Sequence, residues 1–175
     1  NKYYAPDNAT LVIEGDVKFA DVKKMVEKNF SGWKKSNTKF AALEPANNLT
    51  ATEINVVDVP SAVQSVIEVG NLHNMKMNDT QFFAAQIANY ILGGGGESRL
   101  FMNLREKNGF TYGAYSGLST GKYSPSFTAN ASVRNEVTDK AVKEFVNELN
   151  AISTVKPEEL ANAKAKLKGD FIRSL

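Results

Sequence analysis

Arg105 and Tyr112 are the two side chains whose types and spacing could share a task. Arg105 falls near the end of a short helix carrying Leu100, Phe101 and Leu104, and Tyr112 falls on the strand after the Gly109 turn. A guanidinium fork and a phenol donor brought together across a helix-to-strand turn could hydrogen-bond one peptide carbonyl or backbone from two directions. On these residues alone the alternative stays open: Arg105 caps its own helix and Tyr112 packs in the sheet.

Three other features are weaker. The run Gly93-Gly94-Gly95-Gly96 before Glu97-Ser98-Arg99 and a helix invites a phosphate-loop reading, because glycine amides at a helix start bind anions. No Gly-Lys-Ser/Thr follows, no strand precedes the loop and Glu97 would repel a phosphate, so a hinge or a tight helix-to-helix connection is the preferred reading. His73, in Asn71-Leu72-His73-Asn74, lacks ligand or catalytic partners nearby and reads as a hydrogen-bonded loop histidine. Glu158-Glu159 opens the last helix, where the macrodipole accounts for both carboxylates.

Composition excludes much of the remaining chemistry. With Cys 0 and His 1 in 175 residues, a thiolate zinc site, an iron–sulfur cluster and a cysteine nucleophile are ruled out within the chain, and any zinc set would be His73 plus carboxylates. The net charge of +2 carries no clustered basic stripe, so no nucleic-acid partner is expected. No apolar run approaches the roughly 20 residues of a membrane span. The absence of cysteine suits a bacterial envelope or periplasmic location and equally the cytosol. The start at Asn1-Lys2-Tyr3-Tyr4 and a helical pattern still running at Leu175 read as a piece of a longer protein.

The elements that must position Arg105 and Tyr112 follow from hydrophobic period. Leu11-Val12-Ile13 reads as a strand, and Val22, Met25, Val26, Phe30 and Trp33 make one helical stripe. A polar stretch from Lys34 to Thr52, with Pro45 and Asn47-Asn48, suits a linker. Ile54 to Val59 and Val63 to Val69 read as neighbouring strands parted by Pro60-Ser61. A helix capped by Asn78 or Asp79 carries Phe82, Phe83, Ile87, Tyr90 and Ile91, and Ser98 caps the next. Phe110, Tyr112, Ala114, Ser116 and Leu118 alternate as one strand face, Gly121-Lys122 turns, and Phe127, Ala129, Ala131 and Val133 form the return face. Two helices close the chain, with Val142, Phe145, Val146, Leu149 and Ile152, then Leu160, Leu167 and Phe171, as their apolar positions. Paired strands alternating with paired helices predict an α+β fold, a mixed and mostly antiparallel sheet covered by helices.

The stretches Tyr3-Tyr4-Ala5-Pro6-Asp7-Asn8-Ala9 to Gly15-Asp16-Val17, Gly95-Gly96-Glu97-Ser98-Arg99-Leu100-Phe101, and Leu104-Arg105-Glu106-Lys107-Asn108-Gly109 with Tyr112 occur in an order that resembles the pitrilysin/insulinase zinc metallopeptidases, mitochondrial processing peptidase included. The resemblance implies two homologous α+β modules, the first holding His-x-x-Glu-His and a distal Glu and the second metal-free. Residues 1–48 then correspond to the closing strand and helix of the first module plus a linker, and residues 49–175 to most of the metal-free module. By the same resemblance Arg105 and Tyr112 bind the substrate backbone near the scissile bond, and the loop at Gly95 and Gly96 gates or contacts substrate. The zinc motif itself is absent from the chain.

The expected whole is a zinc-dependent endopeptidase in which zinc polarises a carbonyl and activates water while this half orients the extended peptide. The chain alone would bind no metal and hydrolyse nothing. Its partners would be a peptide substrate and the zinc module of the same protein or of a partner subunit. The rivals are an inactive structural or partner subunit of a two-chain processing protease, and a binding module unrelated to proteolysis. Residues 1–33 could also dock into the sheet, within one chain or by a swap between copies, because unpaired edges seek partners.

Overall fold

The computed structural model describes residues 3–39, 47, 49–121 and 125–175. It divides into two compact units, Asn1–Leu43 and Glu44–Leu175. The polar stretch around Pro45 and Asn48 and the residue Lys122 of the expected turn lie outside the described residues.

The first unit holds a short 3-10 turn, Pro6–Asn8, and helix α1, Phe19–Phe30. Asp7 organises it: one carboxylate oxygen accepts Ser36 N–H at 3.0 Å and the other accepts Asn37 N–H at 2.8 Å. Those two amides hold the Asp7 carboxyl below the usual carboxylate range, with Lys35 adding to them. The Leu11-Val12-Ile13 strand does not form, and the three side chains stand exposed. A strand needs a ladder partner, and no strand occurs in this unit among the described residues. The α1 stripe is present as a pattern but not as a core, since only Val22 and Val26 are half-buried while Met25, Phe30 and Trp33 are exposed.

The second unit is built on three antiparallel strands: β1 (Gln64–Leu72), β2 (Thr111–Ser119) and β3 (Ser126–Arg134), in the order β1-β3-β2. Helices α2 (Phe82–Gly93), α3 (Arg99–Phe101, continuing as a π-helical turn over Met102–Lys107), α4 (Thr138–Ala151) and α5 (Pro157–Arg173) complete the α+β layer. The alternation on β3 is as expected, with Ala129, Ala131 and Val133 buried together. They meet Ile67 of β1, Ala114 of β2, Leu92 of α2, Leu100 of α3, Leu104 of the π turn and Phe145 of α4 in one core. Small residues on the middle strand let the helices lie close to the sheet, and Leu100, Leu104 and Phe145 fill the space above.

Several expectations shift by a residue or fail. Ile54 to Val59 is not a strand: Ile54 is 86% exposed and Val56 87%, and no strand among the described residues pairs with them. β-branched composition supplies propensity but not a partner. Pro60 and Ser61 do form a tight turn, closed by Ala62 N–H to Val59 O at 3.1 Å, with Ser61 at φ 68°. Neither Asn78 nor Asp79 caps α2, because Asp79 instead accepts Lys76 N–H at 2.8 Å. On α4 the buried line is Ala141 and Phe145 with Leu149 half-buried behind them, and Val142 and Val146 stay exposed. On α5 the buried residue is Ala163, while Phe171 faces solvent.

Candidate functional site

The segment from Gly93 to Tyr115 is held at each corner. Gly93 sits flush on β2: a Cβ there would lie 2.3 Å from Ser116 N. Close approach, rather than hinge freedom, therefore explains a glycine at the α2 terminus. Beyond it Ser98 stands at the start of α3, yet its hydroxyl donates to Gly95 O at 2.6 Å instead of capping the helix. The helix then widens, with Asn108 N–H reaching Asn103 O at 3.1 Å, and ends at Gly109, whose φ of 60° is a left-handed terminus that glycine adopts freely. Arg134 pins that turn from β3 by donating to Gly109 O at 2.9 Å.

Arg105 projects from the π turn with 45% of its side chain exposed. Its guanidinium carbon lies 4.7 Å from the centre of the Phe101 ring, and its Nε is 3.4 Å from Glu106. Gly96 lies against the edge of the same ring, a Cβ there being 3.9 Å from two of its carbons. Phe101 thus joins two of the expected site positions, Gly96 and Arg105. Gly95 is tied in through Ser98 and lies near the Tyr90 hydroxyl.

Tyr112 is 88% exposed, and its side chain makes no hydrogen bond or ring contact among the described residues. This corrects the expectation that it shares a face with Ala114. Thr111 pairs with Val133 and Ala114 with Ala131, so Tyr112 and Gly113 together oppose Ser132 alone. The extra residue is a β-bulge, which breaks the period-2 rule and turns the phenol out of the packed face. Thr111 Oγ1 ties the bulge at 2.6 Å from Ser132 O and 3.1 Å from Gly113 N.

A polar cluster that the spacing did not announce lies beside this segment. Arg99 donates to both oxygens of Glu159 at 2.7 Å, to Ala151 O at 2.9 Å and to Thr154 O at 2.8 Å. The Arg99 fork and the Lys156 N–H hold the Glu159 carboxyl at about 2, far below its ordinary value. Glu159 is therefore more than a macrodipole residue: it closes a capping box at Lys156 and pairs with α3. Next to it, the Asn103 amide donates to Glu144 at 2.8 Å and to Glu148 at 2.6 Å. The donors and acceptors here satisfy one another. His73 accepts Met75 N–H at 3.1 Å on Nδ1, as a loop histidine should, while Nε2 finds no partner among the described residues.

No group of three or more His, Cys, Asp or Glu among the described residues could hold a metal ion. With one histidine and no cysteine in the sequence, these residues do not fit a zinc site. No described helix is long and apolar enough to cross a membrane.

The second unit is thus an antiparallel α+β layer, with no metal-holding group among the described residues and with an arginine and a tyrosine exposed on either side of a pinned turn. The family model for the peptidase M16 inactive domain matches residues 1–167, and the chain belongs to that family. Among relatives, an uncharacterized zinc protease of Rickettsia felis is 29% identical over 98% of this chain and 41% of its own length. A probable inactive metalloprotease of Bacillus subtilis, YmfF, is 24% identical over 97% of this chain and 39% of its own. The crystal structure of a peptidase M16 inactive domain from Pseudomonas fluorescens superposes with a TM-score of 0.74 at 26% identity, covering 89% of this chain and 37% of that one. A protease from Helicobacter pylori shares the fold at TM-score 0.82 and 22% identity, over 98% of this chain and 43% of that one. The chain thus spans about two fifths of the length of these proteins.

Proposed function

We propose that this domain is the substrate-positioning half of a zinc-dependent endopeptidase, the zinc being held by another part of the full-length protein or by a partner subunit. Arg105 and Tyr112 bind the backbone of an extended peptide, and the Gly95-Gly96 loop borders it. Residues 1–48 are read as the end of a preceding module with its linker, and residues 49–175 as the metal-free module. The observation that carries this reading is the pairing of an exposed phenol and a half-exposed guanidinium on the two sides of one pinned turn. The phenol hydroxyl and the terminal N–H groups of the guanidinium have no hydrogen-bond acceptor among the described residues, and a peptide carbonyl is the acceptor that they suit.

The test is steady-state cleavage of an internally quenched peptide by the full-length protein. Arg105→Ala is expected to lower kcat/KM about tenfold or more, the effect of losing one charge-assisted hydrogen bond. Tyr112→Phe should lower it by a smaller factor, and both variants should keep the wild-type Tm. Unchanged kinetics in both would remove the reading.

A second reading follows from the relative named as a probable inactive metalloprotease. In it the full-length protein has no working zinc site, and this domain serves an active partner chain in trans. Zinc content of the purified full-length protein separates the two readings.

A further inference from the structure

Arginine is long and flexible, and an unsupported guanidinium must lose much of its rotamer freedom to bind a backbone carbonyl. Arg105 is supported. The Phe101 ring lies under its guanidinium at 4.7 Å, and Phe101 is itself almost fully buried. Against that ring packs Tyr115, with centroids 5.8 Å apart and planes at 46°. Tyr115 is in turn laid across Gly113: a Cβ at that position would come within 2.6 Å of the Tyr115 ring. The bulge that turns Tyr112 outward thus also carries the glycine over which Tyr115 lies. Glu106 engages Arg105 through Nε, and no hydrogen bond to the two terminal nitrogens of the fork occurs among the described residues.

We propose that Phe101, packed against Tyr115 over Gly113, is a positioning residue: its ring is the seat that presents the Arg105 guanidinium to the substrate backbone. The proposal rests on the substrate-binding reading above and adds to it the group that orders Arg105 before the peptide arrives. A cation over an aromatic face is held by the ring quadrupole, a force that an aliphatic side chain of similar volume cannot supply. Preordering of this kind acts on affinity, because less freedom is lost on binding.

The experiment measures the affinity of fluorescein-labelled β-casein, an extended polypeptide, for the full-length protein by anisotropy in EDTA, which prevents cleavage. Phe101→Leu is expected to weaken binding about threefold to tenfold, and Phe101→Tyr to stay within about twofold of wild type, in line with the strength of a partly solvated cation–π contact. In an Arg105→Ala background Phe101→Leu should cost nothing further. Equal weakening by Leu and Tyr, or the same loss with and without Arg105, would overturn the seat while leaving the substrate-binding reading intact. Binding unaffected by Arg105→Ala would overturn both. Should Phe101→Leu lower the Tm sharply, Gly113→Ala serves instead. Its methyl displaces the Tyr115 ring and should weaken binding only where Arg105 is present. A loss that persists in Arg105→Ala counts against the proposal.

Discussion

Arg99 and Arg105 sit one and a half turns apart on the same helical segment and use their guanidinium groups in opposite ways. Arg99 has 15% of its side chain exposed and spends four N–H donors on a carboxylate and two carbonyls. Arg105 is 45% exposed, rests on one ring and one neighbouring glutamate, and its terminal nitrogens make no hydrogen bond among the described residues. A saturated arginine in a largely buried fork belongs to the fold, because removing it leaves the part-buried Glu159 carboxylate without its partner. An arginine held by a ring face and one exposed carboxylate can be removed without stranding buried acceptors, which is what the substrate-binding proposal requires of Arg105. Both residues lie within the stretch that resembles the peptidase family, and the resemblance singled out Arg105 but said nothing of the structural part that Arg99 plays.

The largest effect that would break this comparison is at Arg99. Arg99→Ala should destabilise the protein by about 2–4 kcal/mol, since it leaves Glu159 and the carbonyls of Ala151 and Thr154 without their donor. Arg99→Lys should recover little of that, because an ammonium cannot span both oxygens of the carboxylate. Urea unfolding measures both. Arg105→Ala, by contrast, should stay within about 0.5 kcal/mol of wild type. A comparable loss at Arg105 would make it a second structural arginine.

The same pair sets a pH dependence of nearly equal size. Glu159 falls from an ordinary 4.5 to about 2 in the folded state, chiefly through the Arg99 fork. A depressed carboxyl binds fewer protons folded than unfolded between those values. Its contribution is therefore whole above about pH 4.5 and is lost as the pH falls toward 2. Thermal unfolding followed from pH 6 down to about 2.5 should show that loss in the wild type and much less of it in Glu159→Gln. A variant with an undiminished acid slope would show that other carboxylates, such as Asp7, dominate.

What the sequence revealed and what it hid divide along the same line. The buried alternation Ala129, Ala131, Val133 and the glycine stop at Gly109 were legible, because period and positive φ are local properties. The outward turn of Tyr112 was not legible, since one inserted residue in β2 reverses the parity on which the alternation depends. The Arg99–Glu159 pair was hidden for another reason: its partners lie 60 residues apart, and the macrodipole already offered Glu159 a local explanation. Ile54 to Val59 shows the converse, a run with strong β propensity whose partner is not among the described residues.

The smallest expected effect sharpens the contrast most cleanly. Arg105–Glu106 is also an arginine–carboxylate pair, but its members are 45% and 50% exposed and meet at 3.4 Å through one nitrogen. Exposed pairs are screened and cost side-chain entropy to hold, so they contribute from nothing to about 1 kcal/mol. Glu106→Gln should therefore change unfolding free energy by less than about 0.5 kcal/mol, whereas Glu159→Gln should cost about 2 kcal/mol by the same measurement. The two substitutions are chemically identical and differ only in what surrounds the carboxylate. Equal losses would mean that geometry and burial do not separate the two arginines, and the division between a structural arginine and a ligand-facing one would fall with them.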